Sequence, residues 1–167
     1  MIFVTVGTHE QPFDRLVEYM DNWAGNNKEE VIIQTGFAKY KPIHCKWRDF
    51  YPYAVMKEMV SDARIVITHG GPSSFIMPLQ MGKTPIVMPR MKQFNEHVND
   101  HQVSFSHAVA DRQKNIIVVD NTMELGEAIK NYNDIILEKK NDLTSNNKQF
   151  CYDLEQLIWK MVEDGEK

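Results

Sequence analysis

This 167-residue sequence has few cysteines and no net positive charge, which argues against a disulfide-stabilised protein and against a nucleic-acid-binding protein. Two cysteines, Cys45 and Cys151, cannot build a disulfide framework, so we expect a reducing cytoplasmic setting. A net charge of −4 provides no basic surface for nucleic acid. The sequence contains no CxxC pair and no HExxH motif, so no zinc site is expected.

Long hydrophobic runs are also missing. No apolar run approaches the roughly 20 residues of a membrane-spanning helix. The opening segment MIFVTVGTHE lacks the basic and apolar regions of a signal peptide. Any contact with a membrane should therefore come through a surface patch or through a partner.

Short apolar runs alternate with helical patterns along most of the chain. Strands are predicted at residues 2–6, 31–35, 64–68, 85–89 and 115–119, with a weaker one near 42–47. Helices are predicted at 11–24, 53–63, 73–82 and 97–110, followed by two closing helices, the second near 144–163. Strands rich in valine and isoleucine that alternate with helices indicate a doubly wound, Rossmann-like parallel sheet, in one α/β domain over residues 1–167.

The segment THGGPSSF follows one of these strands, at the sheet edge where ligands bind. Gly70 and Gly71 would let the backbone approach a ligand closely. The helix that follows would offer free N–H groups and a positive dipole end to a phosphate, with Ser73 or Ser74 as its cap. The alternative is an ordinary strand-to-helix turn, in which glycine and serine are common.

The segment GTHEQ follows the first strand. Gly7 permits a tight turn and Thr8 can donate a hydrogen bond, while His9 or Glu10 could serve as a general base. The alternative for His9 is a structural role, either as a helix cap or packed against Phe13.

A third polar cluster, EHVNDHQ, suits the hydroxyl groups of a sugar. Its candidate residues are Glu96, His97, Asn99, Asp100, His101 and Gln102. A solvated helix start explains the same composition. A metal pair of His97 and His101 lacks a third ligand at a suitable spacing, so we expect no metal.

The blocks HGGPSS, MGKTPIVMPR and NEHVNDHQ, in this order, resemble the C-terminal, donor-binding half of family 28 glycosyltransferases, which have the GT-B fold. The opening MIFVTVGTHEQPFDRLV is more similar still to the short subunits of two-component transferases. These include the soluble subunit of the dolichol-linked GlcNAc transferase and bacterial capsule and exopolysaccharide subunits. The resemblance runs from Met1 to about Val119.

The resemblance implies roles for the residues that match these motifs. The UDP phosphates would be met by His69, Gly70, Gly71, Ser73 and Ser74. The donor sugar would be met by Asp100, His101 and Gln102, with Glu96 and Asn99 nearby. Uracil would pack on Phe50 and Tyr51, and the turn of Gly7, Thr8 and His9 would line the cleft. Met77 stands where many GT-B enzymes have a ribose-binding glutamate.

The implied function is an inverting UDP-sugar transferase that acts on a lipid-linked saccharide in capsule or exopolysaccharide assembly. A GT-B site lies between two domains, so we expect a membrane-associated partner subunit to hold the acceptor and to recruit this chain to the inner face of the membrane. No cofactor is expected, because the UDP-sugar is a substrate and the sequence has no Asp-x-Asp pair. The sugar is left open among galactose, glucose and GlcNAc.

Two alternatives stay open beside this prediction. The Met77 departure suggests a non-catalytic enhancer that stabilises a partner transferase. A nucleotide-sugar epimerase is the second, although that chemistry also uses a two-domain cleft. The last predicted helix carries an apolar stripe that could dock on the partner or on this domain, formed by Phe150, Leu154, Leu157, Ile158 and Met161.

Overall fold

The computed structural model describes residues 1–139 together with Tyr152, Glu155 and Gln156. Cys151 lies outside the described residues, as do the five residues of the predicted C-terminal stripe, Phe150, Leu154, Leu157, Ile158 and Met161. No helix among the described residues combines the length and the hydrophobicity that crossing a bilayer requires.

The centre of the domain is one parallel sheet. Its strands are β1 Ile2–Thr5, β2 Val31–Gln34, β3 Lys46–Arg48, β4 Ile65–His69, β5 Ile86–Met88 and β6 Ile117–Val118. Every pairing is parallel, and the order across the sheet is β3-β2-β1-β4-β5-β6. The chain direction across the sheet therefore reverses between β1 and β4, which creates a switch point at the carboxyl edge.

Helices cover both faces of this sheet. They are α1 Asp14–Asn26, α2 Tyr53–Asp62, α3 Pro72–Gln80, α4 His101–Gln113, α5 Thr122–Lys130 and α6 Tyr132–Glu138. Helices α1, α5 and α6 pack on one face, where Leu16 and Leu125 are fully buried. Helices α2, α3 and α4 cover the other, against Phe3 and Val87. The predicted doubly wound α/β fold is confirmed.

Several predicted boundaries shift. The weak strand near 42–47 forms at Lys46–Arg48, and the first closing helix divides at Asn131 into α5 and α6. Helix α4 begins at His101 rather than at residue 97, because residues 97–100 form turns in which the Asn99 side chain accepts from the His101 N–H at 3.1 Å. Gly82 ends α3 with φ +71°, as its sequence position predicts.

Candidate functional site

A cavity of about 340 Å³ opens at the switch point between β1 and β4. It is lined by Thr5, Gly7, Thr8, His9, Gln34, Met56, Val60, His69, Ser73, Ser74 and Met77. The residues around it come from the ends of three strands and from helices α2 and α3. In the described part of the chain, the lining includes no lysine, arginine, aspartate or glutamate.

The imidazole of His69 lies between two glycines of the predicted site. A Cβ atom on Gly7 would lie 2.4 Å from His69 Nε2, and one on Gly71 would lie 2.4 Å from Cε1. Gly7 also has φ +76°, which disfavours any other residue. These glycines therefore make room for a side chain of the protein itself, a reason that the sequence did not suggest.

The hydrogen bonds of His69 fix its tautomer. Its Nδ1 accepts the Gly71 N–H at 3.0 Å, so in the neutral ring the proton lies on Nε2, which can donate. Burial, together with the charge of Arg90, lowers the pKa of His69 to about 4. The side chain that lines the cavity is therefore a neutral donor at physiological pH.

The start of α3 offers fewer free donors than predicted. The Gly70 N–H donates to Gln102 Oε1 at 3.1 Å, the Gly71 N–H to His69, and the Ser74 N–H to the Gly71 carbonyl at 3.0 Å. The N-cap is Gly71, with no side-chain cap, because the Ser74 hydroxyl bonds back to the carbonyls of His69 and Gly71. Ser73 therefore carries most of the donor capacity that remains.

His9 also lines the cavity, and its Nδ1 accepts the Gln11 N–H at 3.1 Å. Burial, Arg90 and His97 lower the pKa of His9, and Glu10 partly opposes them. The His97 ring centroid lies 5.1 Å from that of His9. The ring of His9 does not stack on that of Phe13. Because Nδ1 accepts from Gln11, the neutral ring of His9 carries its proton on Nε2 and is a second donor, beside the exposed Thr8 and Glu10.

Glu96 is buried and lies outside the cavity lining, and its predicted place beside the donor sugar stays a prediction. Its carboxylate accepts two hydrogen bonds from Arg15, both of 2.9 Å, and one from the Met91 N–H at 3.0 Å. The ion pair therefore joins α1 to the segment after β5.

Gln102 is likewise bound within the protein, and its predicted contact with the donor sugar stays a prediction. Its Oε1 accepts the N–H groups of Gly70 and Arg90, at 3.1 and 3.2 Å. Its neighbours Asp100 and His101 are exposed. Asp100 accepts the Lys92 N–H, and His101 stacks on Phe105 with ring centroids 5.9 Å apart. Asn99, Asp100 and His101 lie outside the cavity lining, so their sugar contact stays a prediction.

The two predicted uracil residues have different environments. Tyr51 packs edge-on against Phe3, with ring centroids 6.4 Å apart, and its N–H donates to Gln34 Oε1. Phe50 is 44% exposed and meets Phe37, also exposed, at 5.4 Å. Phe37 was absent from the predicted site, and its position in the TGF turn after β2 was the signal for it.

Two further polar residues were missed by sequence reasoning. Gln34 forms the buried floor, where its Nε2 donates to Thr5 Oγ1 at 3.1 Å. Arg90 is fully buried and joins the β1–α1 loop to the segment after β5. Gln34 is the last residue of β2, and Arg90 lies two residues after β5. Both therefore lie at the carboxyl edge of the sheet, as the other candidate residues do.

His97 and His101, the alternative metal pair, do not share a helix, because α4 begins at His101. Among the described residues, no group of three or more His, Cys, Asp or Glu side chains could hold a metal ion.

The glycosyltransferase family 28 C-terminal domain profile matches residues 1–158. The chain belongs to this family. No curated protein matches it in sequence.

Solved structures show that this family 28 domain has the fold of one half of a GT-B glycosyltransferase. The crystal structure of the glycotransferase of kitacinnamycin aligns with a TM-score of 0.56 and 15% identity, over 78% of this chain and 34% of that one. The calicheamicin glycosyltransferase CalG4 aligns with a TM-score of 0.54 and 13% identity, over 77% and 33%. The chain thus spans about a third of the length of these structures.

Proposed function

We propose that this chain is the donor-binding, catalytic half of an inverting UDP-sugar glycosyltransferase. Its acceptor is a lipid-linked saccharide in capsule or exopolysaccharide assembly, held by a membrane-associated partner subunit. The observation that carries the proposal is the cavity at the switch point, where His69 and the start of α3 meet a predominantly apolar wall. Family membership supports a sugar-nucleotide donor.

Different parts of the cavity suit different parts of the UDP-sugar donor. The Nε2–H of His69, the hydroxyl of Thr8 and the donors of Ser73 suit the oxygens of a diphosphate. The start of α3 adds its positive dipole end. Met56, Val60 and Met77 form an apolar wall for the carbon skeleton of the nucleoside. Phe50 and Phe37, which are exposed and in contact with each other, offer a further apolar surface for the base.

In the proposed reaction, the acceptor hydroxyl oxygen attacks the anomeric carbon while the bond to the UDP oxygen breaks. Negative charge then builds on UDP, where the donors of His69 and Ser73 stabilise it. The acceptor proton must pass to a base. Since His9 holds its proton on Nε2 when Nδ1 accepts from Gln11, His9 suits orienting the acceptor, and the exposed Glu10 or a partner residue suits the base.

Reconstituted transfer tests the proposal. The chain is co-expressed with a candidate membrane-associated partner and assayed on a lipid-linked acceptor with UDP-glucose, UDP-galactose and UDP-GlcNAc. We expect one sugar to be transferred, and His9→Ala to lower transfer by about 100-fold. The exposed His107 provides the control variant His107→Ala, which should keep wild-type transfer. Undiminished transfer by His9→Ala would remove the role of that residue.

One observation favours a second candidate function. Met77 lines the cavity where a carboxylate would bind the ribose hydroxyls, so the chain could instead be an enhancer that stabilises a partner transferase. Calorimetry with UDP separates the two. Absence of UDP binding, with and without the partner, favours the enhancer.

A further inference from the structure

Arg90, the last residue of the block MGKTPIVMPR, is a fully buried cation. Its Nη2 donates to the Val6 carbonyl at 2.8 Å, and its Nη1 donates to the carbonyls of Gln11 at 2.6 Å and Glu96 at 3.1 Å. Val6 and Gln11 flank the loop that carries Thr8 and His9. One side chain therefore holds both ends of the β1–α1 loop.

Among the described residues, no carboxylate forms an ion pair with Arg90 alone. Its hydrogen-bond acceptors among the described residues are main-chain carbonyls, and the neighbouring Glu96 carboxylate is bound by Arg15. Two arginines thus share one carboxylate, which leaves one net positive charge. Burial lowers the pKa of Arg90 to about 10, with Glu96 opposing, so Arg90 remains charged at neutral pH.

This charge lies beside a cavity whose lining has none. Charges buried in a protein interior are screened less than charges at its surface, so their field reaches neighbouring groups. The two histidines that line the cavity respond to it, because the Arg90 charge lowers the pKa of both His9 and His69. Other titratable groups also face these rings. His97 lowers the pKa of both, His9 lowers the pKa of His69, and Glu10 raises the pKa of His9.

We propose that Arg90 is the positioning residue of the anion site, fixing the β1–α1 loop and supplying from beneath it the positive charge that the cavity lining lacks. The identity of the anion, a nucleoside diphosphate, rests on the proposed function. The loop and charge roles rest on the contacts of Arg90 alone.

Two measurements on Arg90→Met and Arg90→Lys test this role. The first is an NMR titration of the histidine C–H signals in the ligand-free protein. The second is calorimetry with UDP and with uridine, which lacks the phosphates. Arg64→Met is the matched control, since Arg64 precedes β4 at the opposite edge of the sheet and pairs with Glu29.

We expect Arg90→Met to raise the titration midpoints of His9 and His69, and to weaken UDP binding by about tenfold or more while uridine binding changes by less than about threefold. Arg90→Lys keeps the charge, so it should keep the low midpoints and the preference for UDP. Arg64→Met should behave as the wild type in both measurements.

Three results would overturn the charge role. They are unchanged midpoints in Arg90→Met, equal loss of UDP and uridine binding, or a folded Arg90→Lys with the midpoints of Arg90→Met. If Arg90→Met does not fold, a folded Arg90→Lys whose His9 and His69 midpoints rise above those of the wild type overturns the charge role. If the wild type binds no UDP, the proposed function fails, while the ligand-free titration continues to test Arg90.

Discussion

The imidazole of His69 explains why Gly7 and Gly71 are glycines, because a Cβ atom at either position would collide with the ring. Gly70 belongs to the same arrangement, since a Cβ there would lie 2.9 Å from both Gln102 Cβ and Ser106 Oγ. The HGG turn is thus packed from both sides: His69 fills the space beside Gly71, and helix α4 fills the space beside Gly70. The glycines accommodate side chains of this protein before any ligand is considered.

This packing predicts a coupling between Gly71 and His69. Gly71 has φ −75° and ψ 132°, which alanine adopts freely, so Gly71→Ala tests the contact with the ring alone. We expect Gly71→Ala to lower the free energy of unfolding by about 1–3 kcal/mol, because its Cβ displaces the imidazole. In a His69→Ala background the same change should cost less than about 0.5 kcal/mol.

Urea denaturation of the wild type, both single variants and the double variant measures this cycle. Additive effects would contradict it and would return the glycines to the role of close approach to a ligand.

At the residue scale, the sequence predicted which residues lie at the cavity better than it predicted the contacts that each one makes. Seven predicted residues line one cavity, and they are Gly7, Thr8, His9, His69, Ser73, Ser74 and, as the noted departure, Met77. The partners that Glu96 and Gln102 have within the protein were not predicted, because a polar residue looks the same in sequence whether it faces a ligand or a buried partner. The partners of Glu96 and Gln102, Arg15 and Gly70, are 81 and 32 residues away, a separation that no local pattern reveals.

At the scale of elements, helix α1 holds the connection between β2 and β3 through one carboxylate. Asp21 is fully buried and accepts from the N–H groups of Ile43 and His44, at 3.0 and 2.7 Å, and from the hydroxyl of Tyr40 at 2.9 Å. Burial alone would raise the pKa of Asp21, but the hydrogen bonds outweigh it and lower the pKa.

Asp21→Ala should therefore destabilise the protein by about 1–3 kcal/mol, since it removes the acceptor that the part-buried N–H groups of Ile43 and His44 share. Asp21→Asn, which keeps one oxygen, should cost less. Glu18→Ala, at an exposed position of the same helix, should stay within about 0.5 kcal/mol of the wild type.

Urea denaturation at several pH values measures these differences. Because the folded pKa of Asp21 is below the unfolded one, its contribution is present above the unfolded pKa and is lost as the pH falls through the folded pKa. An Asp21→Ala variant as stable as Glu18→Ala would contradict the anchoring role.

The elements themselves were predictable where periodicity was strong and less so at their ends. The buried valine and isoleucine strands were located within one or two residues. Helix α4 was placed four residues early, because His97–Asp100 continues an apparently helical composition while Asn99 closes a turn there instead. The start of α3 was also misread: Pro72 occupies its first turn and Gly71, not a serine, is the N-cap.

At the scale of the whole molecule, the domain carries its cavity at one edge of the sheet. The cavity is open toward solvent at the carboxyl edge of the sheet, and the chain spans about a third of the length of the GT-B structures that it resembles. Alternation of strands and helices was enough to predict the sheet. The site could not be predicted to the same degree, because it depends on loops whose spacing is set by Arg90 and Glu96.

The central claim is that the cavity at the switch point binds the nucleotide of the donor. Calorimetric titration with UDP of three proteins tests it most directly: the wild type, Met77→Trp and Met123→Trp. Met77 lines the cavity, so a tryptophan there fills it, whereas Met123 is 82% exposed on α5 and gives the same substitution away from the site. We predict that the wild type and Met123→Trp bind UDP alike, and that Met77→Trp binds it at least about tenfold more weakly. Equal binding by Met77→Trp and the wild type would contradict the claim.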